Sequence, residues 1–284
     1  MSNSAKGLLL TSLGVFIMSL ESLFIKITPI SAFLFSFYIG IFMFISMIST
    51  YIFKERIILK KTFSNSVRFL FLSAFLMAIS NSFFISAVKI TNVANVVLIF
   101  STSALFAALF SYLFYKEKIG KNIFIATIFI FIGLFIIFSD NLEIGSVKGN
   151  IYALFCTILF SLSFVFLAKH KDINRVLVTA FSGLFLSLVS LFFCEDLKID
   201  VNTLFLVMIM GLLISPISRV LMGIGSKYIS ASEVSLLMII ETIMAPIWVW
   251  IFLNEKPTTY TFIGGSLILI TLVINSLYSL KKEK

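Results

Sequence analysis

The sequence predicts an all-α integral membrane protein of ten transmembrane helices, built as two inverted five-helix repeats. Three observations predict it. Of 284 residues, 60% are hydrophobic and only 12% are charged, against roughly 45–50% and 25% in soluble domains. The apolar residues gather into ten runs, each long enough to cross a hydrocarbon layer of about 30 Å. The later half of the chain also repeats the earlier half across an odd number of runs. A water-soluble globule could not hide this much apolar surface, and disorder needs low hydrophobicity and high charge.

The first run, 7–25, is too long for the roughly 7–15-residue apolar core of a signal peptide. No small-x-small site follows it, so it is expected to stay as a span. The runs 31–53 and 67–88 flank the longest loop, made basic by Lys54, Arg56, Lys60 and Lys61. The runs 93–114 and 122–139 are separated by Lys116, Lys118 and Lys121. The run 150–168 stops at Lys169, and 176–194 follows Arg175. The last three are 203–222, 231–253 and 258–280. Pro216 and Pro246 fall near the middle of the eighth and ninth runs, where a missing N–H breaks or kinks a helix, as a hinge or a static kink. The loops are too short to fold alone. Cys156 and Cys194 both lie in apolar stretches and read as small core residues, not as a disulfide or metal framework.

The net charge of +9 would point to nucleic acid in a soluble protein. Here it is an orientation signal, because cytoplasmic loops collect Lys and Arg. With the N-terminus inside, all 22 basic residues except Lys26, Lys89, Lys148, Lys198 and Lys256 fall on the cytoplasmic side. Both termini are therefore expected in the cytoplasm.

The segment from Lys89 to Lys118 overlays the segment from Lys227 to Lys256 without a gap, at an offset of 138. Lys89 meets Lys227, Val96 meets Val234, Ala107 meets Ala245, and Glu117-Lys118 meets Glu255-Lys256. Earlier, Lys6-Gly7 matches Lys148-Gly149 and Ser19-Leu20 matches Ser161-Leu162 at an offset of 142. The expected units are 1–140, with runs one to five, and 148–284, with runs six to ten. Five is odd, so the second unit enters the membrane from the opposite side. Inverted repeats of this kind typify secondary transporters.

The segment Ala87-Val88-Lys89-Ile90-Thr91-Asn92-Val93-Ala94-Asn95, followed by an apolar helix and Lys116-Glu117-Lys118, resembles the EamA repeat. So does Lys227-Tyr228-Ile229-Ser230-Ala231-Ser232-Glu233 leading to Asn254-Glu255-Lys256-Pro257 and Gly264-Gly265. The resemblance covers essentially the whole chain. It implies the drug/metabolite transporter superfamily, ten helices, a bacterial inner-membrane location and transport of small organic molecules. Such substrates are often amino acids or related metabolites, often moved outward. It also implies a cavity lined mainly by helices 1, 3, 4, 6, 8 and 9. Three places depart from the family pattern. Ala104 and Thr242 stand where many relatives have proline, and Glu21 replaces an asparagine common late in the first helix.

An ionisable residue at mid-membrane costs about 2.5–3.5 kcal/mol on insertion scales, so it reads as functional by default. Glu21, Glu233 and Glu241 fall inside apolar runs. Glu241 is nearest the centre of its run. Glu233, eight positions earlier, is rotated by about 80° at 3.6 residues per turn, so both can border one cavity. Either Glu241 or Glu21 could bind a proton or a substrate ammonium; the alternative is neutralisation by a neighbouring base. For Glu233 that alternative is favoured, with Arg219 as its partner. Arg219 could instead clamp a substrate carboxylate. Asn81 (with Ser80 and Ser82), Asn95, Ser101, Ser103, Ser161 and Ser163 are weaker candidates, since such groups more often bond their own backbone or pack helices. Trp248 and Trp250 are read as interfacial anchors. Gly264-Gly265 is expected to permit close helix packing.

HExxH, GxSxG and P-loop patterns are absent from the sequence, and His170 reads as a solvated loop residue. No catalytic residue, metal ligand or cofactor is expected. The expected function is secondary active transport of a small amphipathic, amino-acid-like metabolite, with export favoured over uptake. A membrane-embedded enzyme or a passive exchanger is the rival reading. The expected partners are a small-molecule substrate and the lipid bilayer, with a proton as candidate coupling ion and a homodimer as candidate assembly; nucleic acid is not among them.

Overall fold

The structure is a computed structural model that describes residues 3–54, 67–116, 121–139, 144–170, 173–225, 228–229, 234 and 237–283. The described residues are helical almost throughout. In chain order the helices are α1 (Asn3–Met18), α2 (Glu21–Ile27), α3 (Ala32–Lys54), α4 (Val67–Ile90), α5 (Val93–Ser101), α6 (Ser103–Tyr115) and α7 (Lys121–Phe138). There follow α8 (Ile144–Lys169), α9 (Arg175–Leu191), α10 (Val201–Ile209), a π-helical turn at Met210–Ile214, α11 (Ser215–Gly225), α12 (Ile239–Leu253) and α13 (Thr259–Glu283). Among the described residues, six stretches are long and apolar enough to cross a membrane: Asn3–Ile27, Ala32–Phe53, Val67–Ile90, Val93–Tyr115, Val147–Lys169 and Val201–Gly225. Ile123–Phe138, Arg175–Leu191, Ile239–Leu253 and Thr259–Asn275 are shorter apolar helices. The chain is a multi-pass membrane protein. Its outer surface bears Phe53, Phe135, Phe192 and Phe262, each more than two-thirds exposed, a covering that only lipid makes favourable.

Several boundaries differ from the sequence expectation. The first and fourth runs are not single helices. The first breaks at Ser19-Leu20, where the Ser19 hydroxyl donates to the Phe16 carbonyl at 2.6 Å. The fourth breaks at Thr102, whose hydroxyl donates to Ile99 O at 2.6 Å. Neither site carries Pro or Gly; a side-chain hydroxyl bonds to the preceding turn instead. The sixth run starts earlier than expected, at Ile144. Pro246 breaks nothing, since α12 continues through it.

Pro216 does perturb its helix, and the neighbouring elements absorb the effect. Proline cannot donate to the carbonyl four residues before it, here Leu212. The Ser46 hydroxyl on α3 donates to that carbonyl at 3.2 Å. The chain widens into the π-helical turn just before the proline, with Ser215 N–H donating to Met210 O. Such turns concentrate at functional sites.

Close helix pairs are made where side chains vanish. A methyl on Gly40 would meet Gly183 O at 2.6 Å, and one on Gly183 would meet Gly40 O at 2.7 Å, so α3 and α9 touch backbone to backbone. Gly133 and Gly264 do the same for α7 and α13. Gly14 admits Ser218 O and Met222 of α11, and Gly149 admits Thr91, just beyond the end of α4. The tight pairs are thus α1 with α11, α3 with α9, α4 with α8, and α7 with α13, with α12 lying against α5. The described non-glycine residues with left-handed backbone, Lys116 (φ 54°) and Asn254 (φ 56°), end α6 and α12 and lie 138 positions apart.

Overpacking such a contact costs about 1–3 kcal/mol. Gly183→Leu is expected to lower the thermal midpoint in detergent by about 5 °C, read by intrinsic fluorescence. Gly223→Ala, where a methyl meets nothing within 4 Å, is expected to leave it unchanged.

Candidate functional site

The two irregularities, the break at Ser19-Leu20 and the π-helical turn, face each other in space. Glu21, the first residue of α2, and Arg219, on α11, form an ion pair of 2.7 Å between Nη1 and Oε1. Ser215, the residue after the π-helical turn, donates its hydroxyl to the same Oε1 at 2.7 Å. Arg219 Nη1 also donates to Ser215 O at 3.2 Å. The helix break sets the direction in which Glu21 leaves its helix, and the π-helical turn sets that of Ser215. Removing either would displace one side of the pair.

A narrow cavity opens on this cluster. Its volume is about 30 Å³, by the measure in which one water takes roughly 10–15 Å³. Glu21, Ser215, Arg219 and Asn81 supply its polar wall, and Ile25, Ile39, Met43, Phe84, Ile85, Leu186 and Met210 its apolar wall. Its volume leaves room for about two or three waters at most, too little for a metabolite. The Asn81 side chain has no hydrogen-bond partner among the described residues and is free to meet a ligand. Asn81 and Arg219 also sit 138 positions apart, the offset of the sequence repeat.

Glu241, in the first turn of α12, is buried and close enough to feel the charges of Glu21 and Arg219. On α8, the Cys156 carbonyl accepts from Ser80 at 2.9 Å.

The remaining candidates sit elsewhere. Asn95 accepts from Thr261 at 2.5 Å and donates to Asn150 at 3.3 Å, joining α5 to α13 and α8. Ser163 donates to Ser73 O at 3.0 Å, and the Ser103 carbonyl accepts from Ser161 at 2.9 Å. These are helix-to-helix bonds away from the cavity. Glu233 lies outside the described residues. Arg219 pairs with Glu21, and the expected pairing of Arg219 with Glu233 falls outside the described residues. The half-buried Trp248 indole donates to Ser19 Oγ at 2.9 Å and meets Phe16 edge-on, packing α12 against α1. Trp250 is half exposed. His170 is not simply solvated, since it stacks on Phe69 with centroids 3.9 Å apart and its Nδ1 lies 3.0 Å from Phe166 O. Sequence reasoning missed Ser215; its position directly before Pro216 was the available signal.

Truncating one partner of a mostly buried pair leaves an uncompensated charge. Arg219→Met is expected to destabilise the protein by about 2 kcal/mol. The double variant Glu21→Gln/Arg219→Met should recover at least half of that loss, as read from thermal midpoints in one detergent. A double variant no better than the single would contradict the pairing.

The EamA-like transporter family is matched twice along the chain, over residues 5–139 and 147–277. An uncharacterized transporter of Bacillus subtilis (strain 168), YdfC, is 27% identical over 175 residues, covering 59% of this chain and 57% of that protein. An uncharacterized transporter of Archaeoglobus fulgidus is 21% identical over 192 residues, covering 66% of this chain and 61% of that protein. The matched stretches span less than two thirds of either relative. A solved crystal structure superposes with a TM-score of 0.68 at 17% identity, covering 98% of this chain and all of the other, and so shares the fold.

Proposed function

Because the chain belongs to the EamA-like transporter family, we propose that it is a secondary active transporter of a small zwitterionic, amino-acid-like metabolite. The observation that carries this reading is the Glu21–Arg219 pair facing a cavity whose walls are apolar apart from Asn81 and Ser215. In the closed state the two charges satisfy each other. A zwitterion can replace that single contact with two: its carboxylate takes the Arg219 fork and its ammonium takes Glu21. Asn81 and Ser215 supply hydrogen bonds, and the apolar wall receives an apolar side chain.

Glu241 is the proposed proton-binding position. With Glu21 it sets two carboxylates against one guanidinium, and one bound proton completes the charge balance of the site. Loss of that proton leaves Glu241 competing with Glu21 for Arg219, so proton movement and substrate binding act on the same group.

The architecture we infer is ten spans in two inverted repeats, 1–140 and 148–284, with both termini cytoplasmic in a bacterial inner membrane. The helix pairing supports it. An exchange of the halves maps the first apolar segment to the sixth and the third to the eighth. The pair of α1 with α11 then maps onto the pair of α4 with α8, while α3–α9 and α7–α13 map onto themselves. Lys116 and Asn254, ending α6 and α12 in the same conformation at the repeat offset, support it too. Alternating access follows if the halves rock about the ion pair. Export is the direction favoured by the family resemblance.

In reconstituted liposomes, a screen of labelled metabolites is expected to find flux for amino acids with apolar side chains. N-acetyl and methyl-ester analogues, each lacking one charge, should be excluded. Glu21→Gln and Arg219→Gln should each lower flux by at least about tenfold, the scale of one lost charge-assisted contact. Glu241→Gln should abolish transport or remove its pH dependence. Wild-type flux and pH profile in Glu241→Gln would end its assigned role.

A further inference from the structure

We propose that α2 is a rigid rod that couples the central ion pair to a latch at one end of the bundle. The proposal rests on the transporter reading for its purpose and on separate contacts for its geometry. α2 has seven residues, Glu21–Ile27, and so is about 10 Å long. It is set off from α1 by the break at Ser19-Leu20 and ends at Thr28, where the backbone is extended. Its near end holds Glu21 against Ser215 and Arg219.

Its far end holds Lys26. The Lys26 ammonium donates to Val88 O at 3.0 Å and Thr91 O at 2.8 Å, and it pairs with Glu255 Oε2 at 3.0 Å. The other oxygen of Glu255 accepts the backbone N–H of Val93, the first residue of α5, at 2.7 Å. Asn92 donates to Lys256 O at 3.1 Å, and Lys89 donates to Thr28 O. One carboxylate thus fastens the α12–α13 junction to the end of α2 and to the α4–α5 junction. Both ends of the rod hold charged contacts to the later half of the chain, through Arg219 and through Glu255.

The linkage follows from this geometry. At the break the backbone bonds thin to Leu20 N–H on Ile17 O and Phe24 N–H on Leu20 O, so α2 can pivot against α1, which stays fixed to α11 by glycine contacts at Gly7 and Gly14. When Arg219 turns to another carboxylate, Glu21 loses its anchor and α2 is free to shift. Lys26 then leaves Glu255, the Val93 N–H loses its cap, and the seam between the 88–93 and 254–256 segments opens. A change at either end biases the other, since coupling between sites is reciprocal.

The test uses the full chain in nanodiscs with both native cysteines replaced, Cys156→Ala and Cys194→Ser, and a reporter Ile85→Cys. Ile85 lines the cavity and is 4% exposed. The probe is a membrane-impermeant maleimide. Glu255→Gln is expected to raise the labelling rate about tenfold, and Glu21→Gln, a full helix length away, to raise it by a comparable factor. The pair of changes together should add little beyond either alone. Hydrogen exchange of the peptide containing Val93, which needs no reporter cysteine, should accelerate in Glu21→Gln. An unchanged labelling rate in Glu255→Gln overturns the latch. Unchanged exchange at Val93 in Glu21→Gln, or fully multiplicative labelling effects, overturns the rod. None of these readings depends on flux, so a protein that moves no solute yet shows coupled labelling supports the rod and refutes only the transport reading.

Discussion

A charge placed in the hydrocarbon layer must find its partner within the protein, because neither lipid nor bulk water can stabilise it there. In this chain that requirement falls on Glu21 and Arg219, and much of the local backbone is arranged to meet it. The first apolar segment breaks two residues before Glu21. The eighth widens by a π-helical turn just before Ser215 and Arg219. Irregular backbone is tolerated at membrane depth only where protein or a cavity covers it. Ser46 answers for the carbonyl that Pro216 leaves free, and Trp248 meets the hydroxyl of Ser19. The site and the irregular backbone are therefore one structure, each requiring the other.

The helix packing places this site between two interlocked halves. The glycine contacts at Gly14, Gly40, Gly133 and Gly149 each join a helix from the earlier part of the chain to one from the later part. Hydrophobic burial gives little drive for helix association in lipid, so close van der Waals approach between backbones must supply it. The halves are thus held along several seams, and any relative motion has to slide along those seams. Small sliding shifts of packed helices are a known route to domain motion.

The charged clusters at the two ends of α2 differ in character. The Glu21–Arg219 pair is supported by one side-chain hydroxyl and opens on a cavity that a ligand's charges could occupy. The Lys26–Glu255 pair is built into backbone groups, with the Val88 and Thr91 carbonyls on one side and the Val93 amide on the other. The first is suited to exchange with a ligand, and the second to fastening segments together. Asp200 shows the ordinary case outside the membrane layer. It caps α10 through hydrogen bonds from Thr203, which hold its carboxyl below the usual value.

The membrane environment, the places of the apolar segments and the charged residues within them are all legible in the order of residues alone. The reason is energetic: a span needs about 20 apolar residues, and a Glu or Arg inside one stands out against them. Glu21, Arg219 and Glu241 could be singled out on that ground alone. The sequence did not determine partners. Nothing in the order of residues pairs Arg219 with Glu21, which is 198 positions away. Nor does it foretell that the Trp248 indole donates to Ser19. In a soluble helix the apolar stripe reveals the buried face, but here the lipid-facing and core-facing sides are both apolar, so periodicity points nowhere. The breaks at Ser19-Leu20 and Thr102 carry no proline or glycine to announce them. Which faces meet, and with them which charges pair, emerges from the folded packing, because that choice rests on close contact between segments far apart in the chain.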